Sequence, residues 1–357
     1  MVDRLALSGG RGTLKELLLF LVISLCVGYA GSGIVNASGE AQNPVQIPDM
    51  PQRIVVFPLF AEEMLLEMVG PDRIVYVGHE YFENGEACSP TMGLTKNIEG
   101  RYWNMSIDER IFAHNPDLIV LEEVFSSDYA EIWPELYQAS IPFLFLDKPK
   151  TIEDIRDVLI TLGAAVGEPE KAARMVEDME AGLAQIAAIV SAVPEEKRVR
   201  VFHCVYHTND YRSQEEKPFT IWYRRNSFTM TAYAAGVIDE GPDTVDSVDG
   251  EPADWVQVDG EPEDWLLEAN PDIITFDFAH YDTDGSIYEV TGLYHDKFIN
   301  DLLDNPKLAT VSAIQNHAIY PIRLCESQFI VRSAETLAQL AYPDLFAEKD
   351  EQATTHQ

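Results

Sequence analysis

Residues 168–194 read EPEKAARMVEDMEAGLAQIAAIVSAVP and form the longest helical pattern in the chain of 357 residues. Pro169 stands near the first turn, where proline is well tolerated, and Pro194 closes the pattern. At about 1.5 Å per residue such a helix spans roughly 35–40 Å. The stretch therefore predicts a rigid strut between two folded units rather than a flexible linker.

Helical and strand patterns alternate on both sides of this strut. Before it, RIVVFP (53–58) predicts a buried strand, AEEMLLEMVG (61–70) a helix and DRIVYVG (72–78) a second strand. After it, RVRVFHCVYH (198–207) predicts a strand and SFTMTAYAAGV (227–237) a helix. Such alternation is typical of a parallel sheet with helices on its faces.

An Asn-Pro-Asp motif joins a helix to a strand once on each side of the strut. Residues 111–124 read IFAHNPDLIVLEEV, and residues 266–279 read LLEANPDIITFDFA. In both, the proline ends the preceding helix because it disfavours the helical conformation in the residue before it. The repeat, together with the strut between its two copies, predicts two similar Rossmann-like α/β lobes joined by one long rigid helix.

The N-terminus has the composition of an export signal. Basic residues up to Lys15 precede LLLFLVISLCVGYAG (17–31), an apolar run shorter than the roughly 20 residues of a stable membrane span. VNA (35–37) supplies small residues for cleavage before Ser38. Lipidation of Cys26 is less favoured, because Leu25 stands before it where a small residue is expected. We expect an exported protein, periplasmic or at the cell surface, with membrane anchoring left open.

Composition shifts along the chain set the expected domain boundaries. The segment 38–51 is polar and carries prolines, which indicates a linker. We expect a signal peptide or N-terminal anchor, a linker, a first lobe, an interlobe helix, a second lobe and a disordered tail, at residues 1–37, 38–51, 52–168, 169–194, 195–347 and 348–357.

The net charge is −35, from 60 acidic and 25 basic residues. This balance argues against nucleic acid as a partner, because phosphates require clusters of Lys and Arg. An acidic surface suits solubility and attracts cationic partners. With 46% hydrophobic residues the chain can still bury sizeable cores.

Five stretches, taken in order, make the chain resemble a substrate-binding protein of ABC transporters, of the class that captures iron–siderophores, haem or cobalamin. The third stretch is the most specific, because a strand ending in Leu-Asp leads through TIEDI into the long helix. The stretches are PQRIVVFPLFAEEMLLEMVGPDRIVYVG, IDERIFAHNPDLIVL, SIPFLFLDKPKTIEDIRDVLITLGAAVGEPEKAARMVEDMEAGLAQI, LLEANPDIITF and LAYPDLF.

The resemblance implies that the two lobes clamp a small-molecule metal chelate and close only slightly, because the connecting helix is stiff. It implies an ABC permease and its ATPase subunits as partners and a monomeric protein with no resident cofactor. The cargo would be an iron(III) chelate, haem or cobalamin. No catalytic motif such as G-x-S-x-G or HExxH occurs in the sequence, so we expect no enzyme.

Cleft residues should follow the carboxyl ends of parallel strands. In the first lobe Tyr102 and Trp103 are candidate platforms for a flat ligand, with core packing as the alternative. In the second lobe the candidates are Tyr223, Arg224 and Arg225, with salt bridges to nearby carboxylates as the alternative. The resemblance favours these residues, since related proteins bind anionic ferric chelates or haem propionates through Arg and Tyr.

Direct metal ligation has weaker candidates. Tyr81 or Tyr206 could be an axial haem ligand. His203 and His207 share one face of a predicted strand, but no matching pair accompanies them, so we expect ordinary histidines and no metal site.

The family also places an acidic residue on each lobe that contacts arginines of the permease. Glu131 is the candidate in the first lobe, and Asp264 or its neighbour Glu263 in the second. A tandem repeat, VDGEPADWVQ (248–257) followed by VDGEPEDWLL (258–267), makes the second assignment uncertain by a helical turn. A solvated acidic loop is the alternative.

Among cargoes, the arginines favour an anionic iron chelate over cobalamin, which needs an apolar, aromatic cleft. A metallocluster oxidoreductase has the same two-lobed architecture but requires cysteines as cluster ligands. Cys88, Cys204 and Cys325 are too widely spaced for that role. They leave open one disulfide or three buried thiols.

Overall fold

Two α/β lobes and a helix shared between them make up the described part of the chain. The computed structural model describes residues 46–77, 94, 98, 100–101, 109–122, 140–207, 221–241, 247–248, 251–252, 255–257, 262–281, 287–288 and 292–347. The predicted signal segment, with Cys26 and Ser38, the predicted tail 348–357 and Cys88 lie outside these residues.

The first lobe is built on a parallel sheet of five strands in the order β3-β2-β1-β4-β5. Its members are β1 (Ile54–Val56), β2 (Ile74–Val77), β3 (Gly100–Arg101), β4 (Leu118–Glu122) and β5 (Phe143–Leu146). The helices are α1 (Leu59–Val69) and α2 (Ile152–Val166), with 3-10 turns at Pro71–Arg73 and Glu109–His114. The strands are apolar on both faces because the sheet is covered on both sides.

The second lobe has a mixed sheet whose centre is parallel, in the order β8-β6-β12-β14. Three further strands join this sheet by antiparallel pairing: β7 pairs with β6, β11 with β7 and β13 with β12. The strands of this sheet are β6 (Arg200–His207), β7 (Ile221–Arg224), β8 (Ile238–Asp239), β11 (Trp255–Gln257), β12 (Ile273–Tyr281), β13 (Ile287–Tyr288) and β14 (Ile319–Pro321). The strands β9 (Ser247–Val248) and β10 (Glu251–Pro252) pair with each other as a separate antiparallel hairpin. The predicted fold class, two parallel-sheet lobes flanked by helices, is confirmed, and the antiparallel additions were not predicted.

Helices cover the second sheet and link it to the first lobe. They are α3 (Pro169–Val190), α4 (Arg225–Ala235), α5 (Pro262–Ala269), α6 (Gly292–Leu303), α7 (Ser312–Gln315) and α8 (Ile330–Ala341), with 3-10 turns at Glu195–Lys197 and Pro306–Leu308. The sequence SAETLAQLAYPDLFAE (333–348) predicts a closing helix. In the structure this helix, α8, begins three residues earlier and breaks at Tyr342, before Pro343.

The long helix α3 belongs to both hydrophobic cores. Its first half contributes Ala172, Met175 and Met179 to the core of the first lobe. Its second half contributes Ile186 and Val190 to the core of the second. A helix that is half of each core cannot swing freely, which gives the predicted strut its rigidity.

The two Asn-Pro-Asp motifs perform the same structural task. Asn115 and Asn270 both adopt positive φ, at 46° and 41°, which ends the preceding helical segment. The Asp117 carboxylate accepts the Arg53 backbone N–H at 2.8 Å, and the Asp272 carboxylate accepts that of Arg200 at 2.9 Å. Each motif therefore fixes the start of the neighbouring parallel strand.

None of the helices in the described ranges combines the length and the apolar character that a bilayer crossing requires.

Candidate functional site

Three loops that follow parallel strands meet where the two lobes touch. One follows β1 and opens α1, the second follows β5 and carries Lys148, and the third, residues 323–328, links β14 to α8. The first two belong to the first lobe and the third to the second lobe. In sheets of this kind ligands bind at the carboxyl ends of strands, so this boundary is the candidate cleft.

Glu63, the fifth residue of α1, is the centre of the contacts between lobes. Its side chain is only 2% exposed, and Arg323 Nη2 donates to Glu63 Oε1 at 2.5 Å. Ser327 Oγ, itself fully buried, donates to the other oxygen, Glu63 Oε2, at 2.5 Å.

Gln328 adds a contact one turn further along α1. Its Nε2 donates to Glu67 Oε2 at 2.7 Å. The segment 323–328 therefore contacts two residues that lie one turn apart on the same face of α1.

A second ion pair joins the lobes beside the first. Lys148 Nζ, after β5, lies 3.1 Å from Glu326 Oε1, and the two side chains are 21% and 10% exposed. Ser227 in the first turn of α4 donates a short hydrogen bond to the same Glu326 oxygen. The start of α4 is thus held at the boundary between the lobes.

The predicted residues Tyr223, Arg224 and Arg225 lie at the junction of β7 and α4. Tyr223 and Arg224 end β7, where their backbones pair with Val256 and Trp255 of β11. Arg225 begins α4, two residues before Ser227. The structure therefore places the backbone of all three beside the interlobe boundary.

The other predicted ligand-binding residues, Tyr81, Tyr102 and Trp103, lie outside the described residues, as does Glu131. The predicted docking residues Glu263 and Asp264 lie in the first turn of α5. Glu263 Oε1 accepts a hydrogen bond from Asn305 Nδ2 at 2.9 Å, whereas Asp264 is exposed. Of these two carboxylates, Asp264 is the one presented on the surface.

Three of the histidine and cysteine candidates, His203, Cys204 and Cys325, are packed into the core rather than grouped at one site. His203 is fully buried, stacks on Phe228 at 4.8 Å and places Nδ1 3.0 Å from Thr275 Oγ1. Cys204 and Cys325 are free, buried thiols, and burial raises the pKa of Cys204 well above its ordinary value. In the part of the chain that the structure describes, no group of three or more metal-ligating side chains comes together.

Sequence reasoning missed Lys148, Arg323, Glu326, Ser327 and Gln328. All five lie directly after the ends of β5 or β14, where the rule for cleft residues would have found them. Both strands were identified in the sequence, but the polar residues that follow them were not considered. The partner of Arg323 is 260 positions away, and no local pattern points to it.

Three solved structures share this architecture at low sequence identity. A periplasmic haem-binding protein from Pseudomonas aeruginosa has 15% identity and a TM-score of 0.60, with 83% of this chain and 94% of that chain covered. Ceue from Helicobacter pylori, with Ni(II) bound, has 18% identity and a TM-score of 0.61, with 88% and 90% covered. An ABC transporter substrate-binding protein from Listeria monocytogenes EGD-e has 15% identity and a TM-score of 0.56, with 83% and 100% covered.

These likenesses establish the fold. A search of curated proteins finds none that matches the sequence. The family model described as "Periplasmic binding protein" matches residues 95–323, which is more than half of the chain. The matched region runs from the first lobe through α3 to Arg323 at the lobe boundary. The chain therefore belongs to the periplasmic binding protein family.

Proposed function

We propose that this protein is the extracytoplasmic solute-binding component of an ABC importer and that its cargo is an anionic metal chelate, a ferric siderophore or haem. The observation that carries the proposal is the Arg224–Arg225 pair at the start of α4, beside the lobe boundary. Between this pair and Lys297 the sequence contains no other Lys or Arg. Two adjacent arginines in a region that otherwise lacks positive charge indicate a site for an anionic ligand.

The chemistry of the pair suits carboxylates and catecholates. A guanidinium presents parallel donors that bind two oxygens at once, so it recognises such groups with both geometry and charge. Tyr223 adds an aromatic face next to the arginines. Similar structures support the cargo class, since the Pseudomonas aeruginosa protein is named as haem-binding.

The proposal includes the partners and the location. A permease and its ATPase subunits would receive the cargo from a monomeric binding protein outside the membrane. The export segment would be cleaved before Ser38, lipidated at Cys26 or retained as an anchor. Mass spectrometry of the exported protein separates these three outcomes through the mass of its N-terminal peptide.

Titration of the exported protein with ferric siderophores, haem and cobalamin, followed by tryptophan fluorescence, tests the cargo. The chain has five tryptophans, which should report a quenching ligand. We expect submicromolar quenching by a ferric siderophore or by haem. Quenching by cobalamin alone would replace the proposed cargo with cobalamin. No response to any of the three would contradict the cargo class.

The arginines are tested one at a time. We expect Arg224→Ala and Arg225→Ala each to weaken chelate binding by about tenfold, the scale of one charge-assisted hydrogen bond. Arg156→Ala is the matched control, because Arg156 forms exposed ion pairs with Glu153 and Asp157 on α2 of the first lobe. Equal affinity in both variants and the control would reject the assignment.

A further inference from the structure

The segment 323–328 of the second lobe forms hydrogen bonds and an ion pair with the first lobe. Arg323 and Ser327 both bond to the carboxylate of Glu63, and Gln328 bonds to Glu67. The bonded residues are 260, 264 and 261 positions apart in the sequence, so none of these contacts is imposed by chain connectivity. They form only when the two lobes stand at one particular angle.

Burial of Glu63 and Ser327 favours one relative orientation of the two lobes over others. Glu63 and Ser327 are 1% and 0% exposed, so neither side chain is open to a ligand in the cleft. A buried carboxylate that loses its guanidinium partner is strongly disfavoured, whereas the intact pair gains little over apolar packing. Such a pair therefore contributes mainly by excluding other arrangements of the lobes.

Packing around the pair supports the same angle. Met230 of α4 and Ile330 of α8 belong to the second lobe but are buried in the core of the first. The helix α3 approaches α8 so closely at Gly182 that an added Cβ would lie 2.6 Å from Val331 Cγ1. These apolar contacts hold the lobes together, and the directional bonds to Glu63 add a fixed orientation to them.

We propose that Glu63, Arg323 and Ser327 form an interlobe lock, a set of positioning residues that holds the two lobes at the angle at which the cleft accepts its cargo. The lock keeps the site preformed before the ligand arrives. The ion pair between Lys148 and Glu326 lies at the more exposed edge of the same boundary and is not part of the lock. The consequence for cargo affinity rests on the proposed function, whereas the effect on lobe geometry does not.

Distances between spin labels on the two lobes test the lock without any ligand. The labels are placed on Ala164→Cys in α2 and Ala309→Cys after the 3-10 turn Pro306–Leu308, both exposed positions. Cys26 and Cys88 are replaced by Ser in the full chain, and the buried Cys204 and Cys325 are retained.

The test variants are Glu63→Gln and Arg323→Met. The matched control is Arg200→Met, which breaks an ion pair of 2.7 Å between Arg200 and Glu240 within the second lobe. We expect one narrow distance distribution for the parent and the control, and a broadened or shifted one for both test variants. Distributions as narrow as the parent's in both folded variants would overturn the lock.

Ser327→Ala is the milder variant if the charge changes prevent folding, which circular dichroism reports. It removes one hydrogen bond to Glu63 and should broaden the distribution less than the charge variants would. An unchanged distribution in this variant, with the other two unfolded, would also overturn the lock.

Haem titration of the same proteins connects the lock to affinity. If the variants hold the competent angle about a tenth of the time, the apparent Kd for haem rises about tenfold, because the apparent constant scales inversely with the competent fraction. A parent that binds neither haem nor a ferric siderophore would refute the proposed cargo while leaving the distance result intact. Broadened distributions with unchanged haem affinity would refute the role of the lock in cargo binding.

Discussion

At the scale of single residues, the two Asn-Pro-Asp motifs allow a direct comparison. Asp117 accepts two backbone N–H groups, from Gln52 and Arg53, both at 2.8 Å. Asp272 accepts one, from Arg200, and is more exposed. The first motif should therefore contribute more to the stability of its lobe than the second.

We expect Asp117→Ala to lower the free energy of unfolding of the first lobe by about 2 kcal/mol and Asp272→Ala that of the second by about 1 kcal/mol, because bonds to a charged acceptor are stronger when partly buried. Urea denaturation of each variant, followed by circular dichroism, measures both changes. If Asp272→Ala loses as much free energy of unfolding as Asp117→Ala, or more, the two motifs do not anchor their strands with unequal strength.

Cys204 gives a prediction on pH. Burial raises its pKa in the folded protein, so the folded state keeps a proton that the unfolded chain releases above about pH 8.5. Stability contributed by the thiol is therefore full below that pH and is lost as the pH rises.

We expect the loss of stability in Cys204→Ala, measured by urea denaturation under reducing conditions, to shrink by about 2 kcal/mol between about pH 8.5 and about pH 10. Each pH unit above the unfolded pKa is worth about 1.4 kcal/mol. A difference between parent and variant that does not change over this range would contradict the raised pKa.

At the scale of elements, the helix α2 was predicted closely because its signals are local. The sequence TIEDIRDVLITLGAAVG (151–167) predicts a helix with Thr151 as N-cap and an end at Gly163 or Gly167. In the structure the Thr151 side chain accepts the Asp154 N–H at 3.1 Å. The Asp154 carboxylate in turn accepts the Thr151 N–H at 2.8 Å, so the capping box is complete although Glu or Gln is more usual there. Gly167, with φ of 76°, ends the helix at one of the two predicted positions.

The tandem repeat shows where local signals fail. Its first copy, 248–257, contains the strand residues Glu251–Pro252 and Trp255–Gln257, whereas the second copy, 258–267, enters the helix α5 at Pro262. Seven of ten positions are identical, so the sequence alone does not separate the two outcomes. Pairing of β11 with β7 in one copy, and burial of Leu266 in the core in the other, decide between them.

The close crossing of α3 and α8 carries a prediction of its own. We expect Gly182→Ala to lower the free energy of unfolding by about 1–2 kcal/mol, because the overpacking against Val331 outweighs the helix propensity gained. In the double variant with Val331→Ala the overlap is removed, so the two losses should not add. Thermal denaturation of the single and double variants measures the coupling. If the losses of stability in the two single variants add up to the loss in the double variant, the close contact between Gly182 and Val331 is contradicted.

At the scale of the whole molecule, the lobes, their order and the strut were predictable because alternating periodicity and the repeated motif lie in continuous stretches. The boundary between the lobes was not. Arg323 meets Glu63 across 260 positions, and Lys148 meets Glu326 across most of the second lobe. Such pairs depend on how two finished units are placed together, which no periodicity encodes.

Charge also acts on this scale. The net charge of −35 makes acidic surface common on this protein, so the permease-docking role that we propose for carboxylates requires particular ones in particular places. Asp264 is exposed at the first turn of α5, while the neighbouring Glu263 is engaged by Asn305. Asp264 is therefore the better candidate of the two for the second-lobe contact.

We expect the variant Asp264→Ala with Glu131→Ala to bind cargo as the parent does but to support less uptake, because only the encounter with the permease loses attractive charge. Glu335→Ala, an exposed carboxylate on α8 of the same lobe, is the control for net charge. Uptake of radiolabelled ferric chelate by cells, measured beside cargo affinity of the purified variants, separates docking from binding. Parental uptake by the double variant would remove the docking role, and a matching loss in the control would assign the effect to net charge alone.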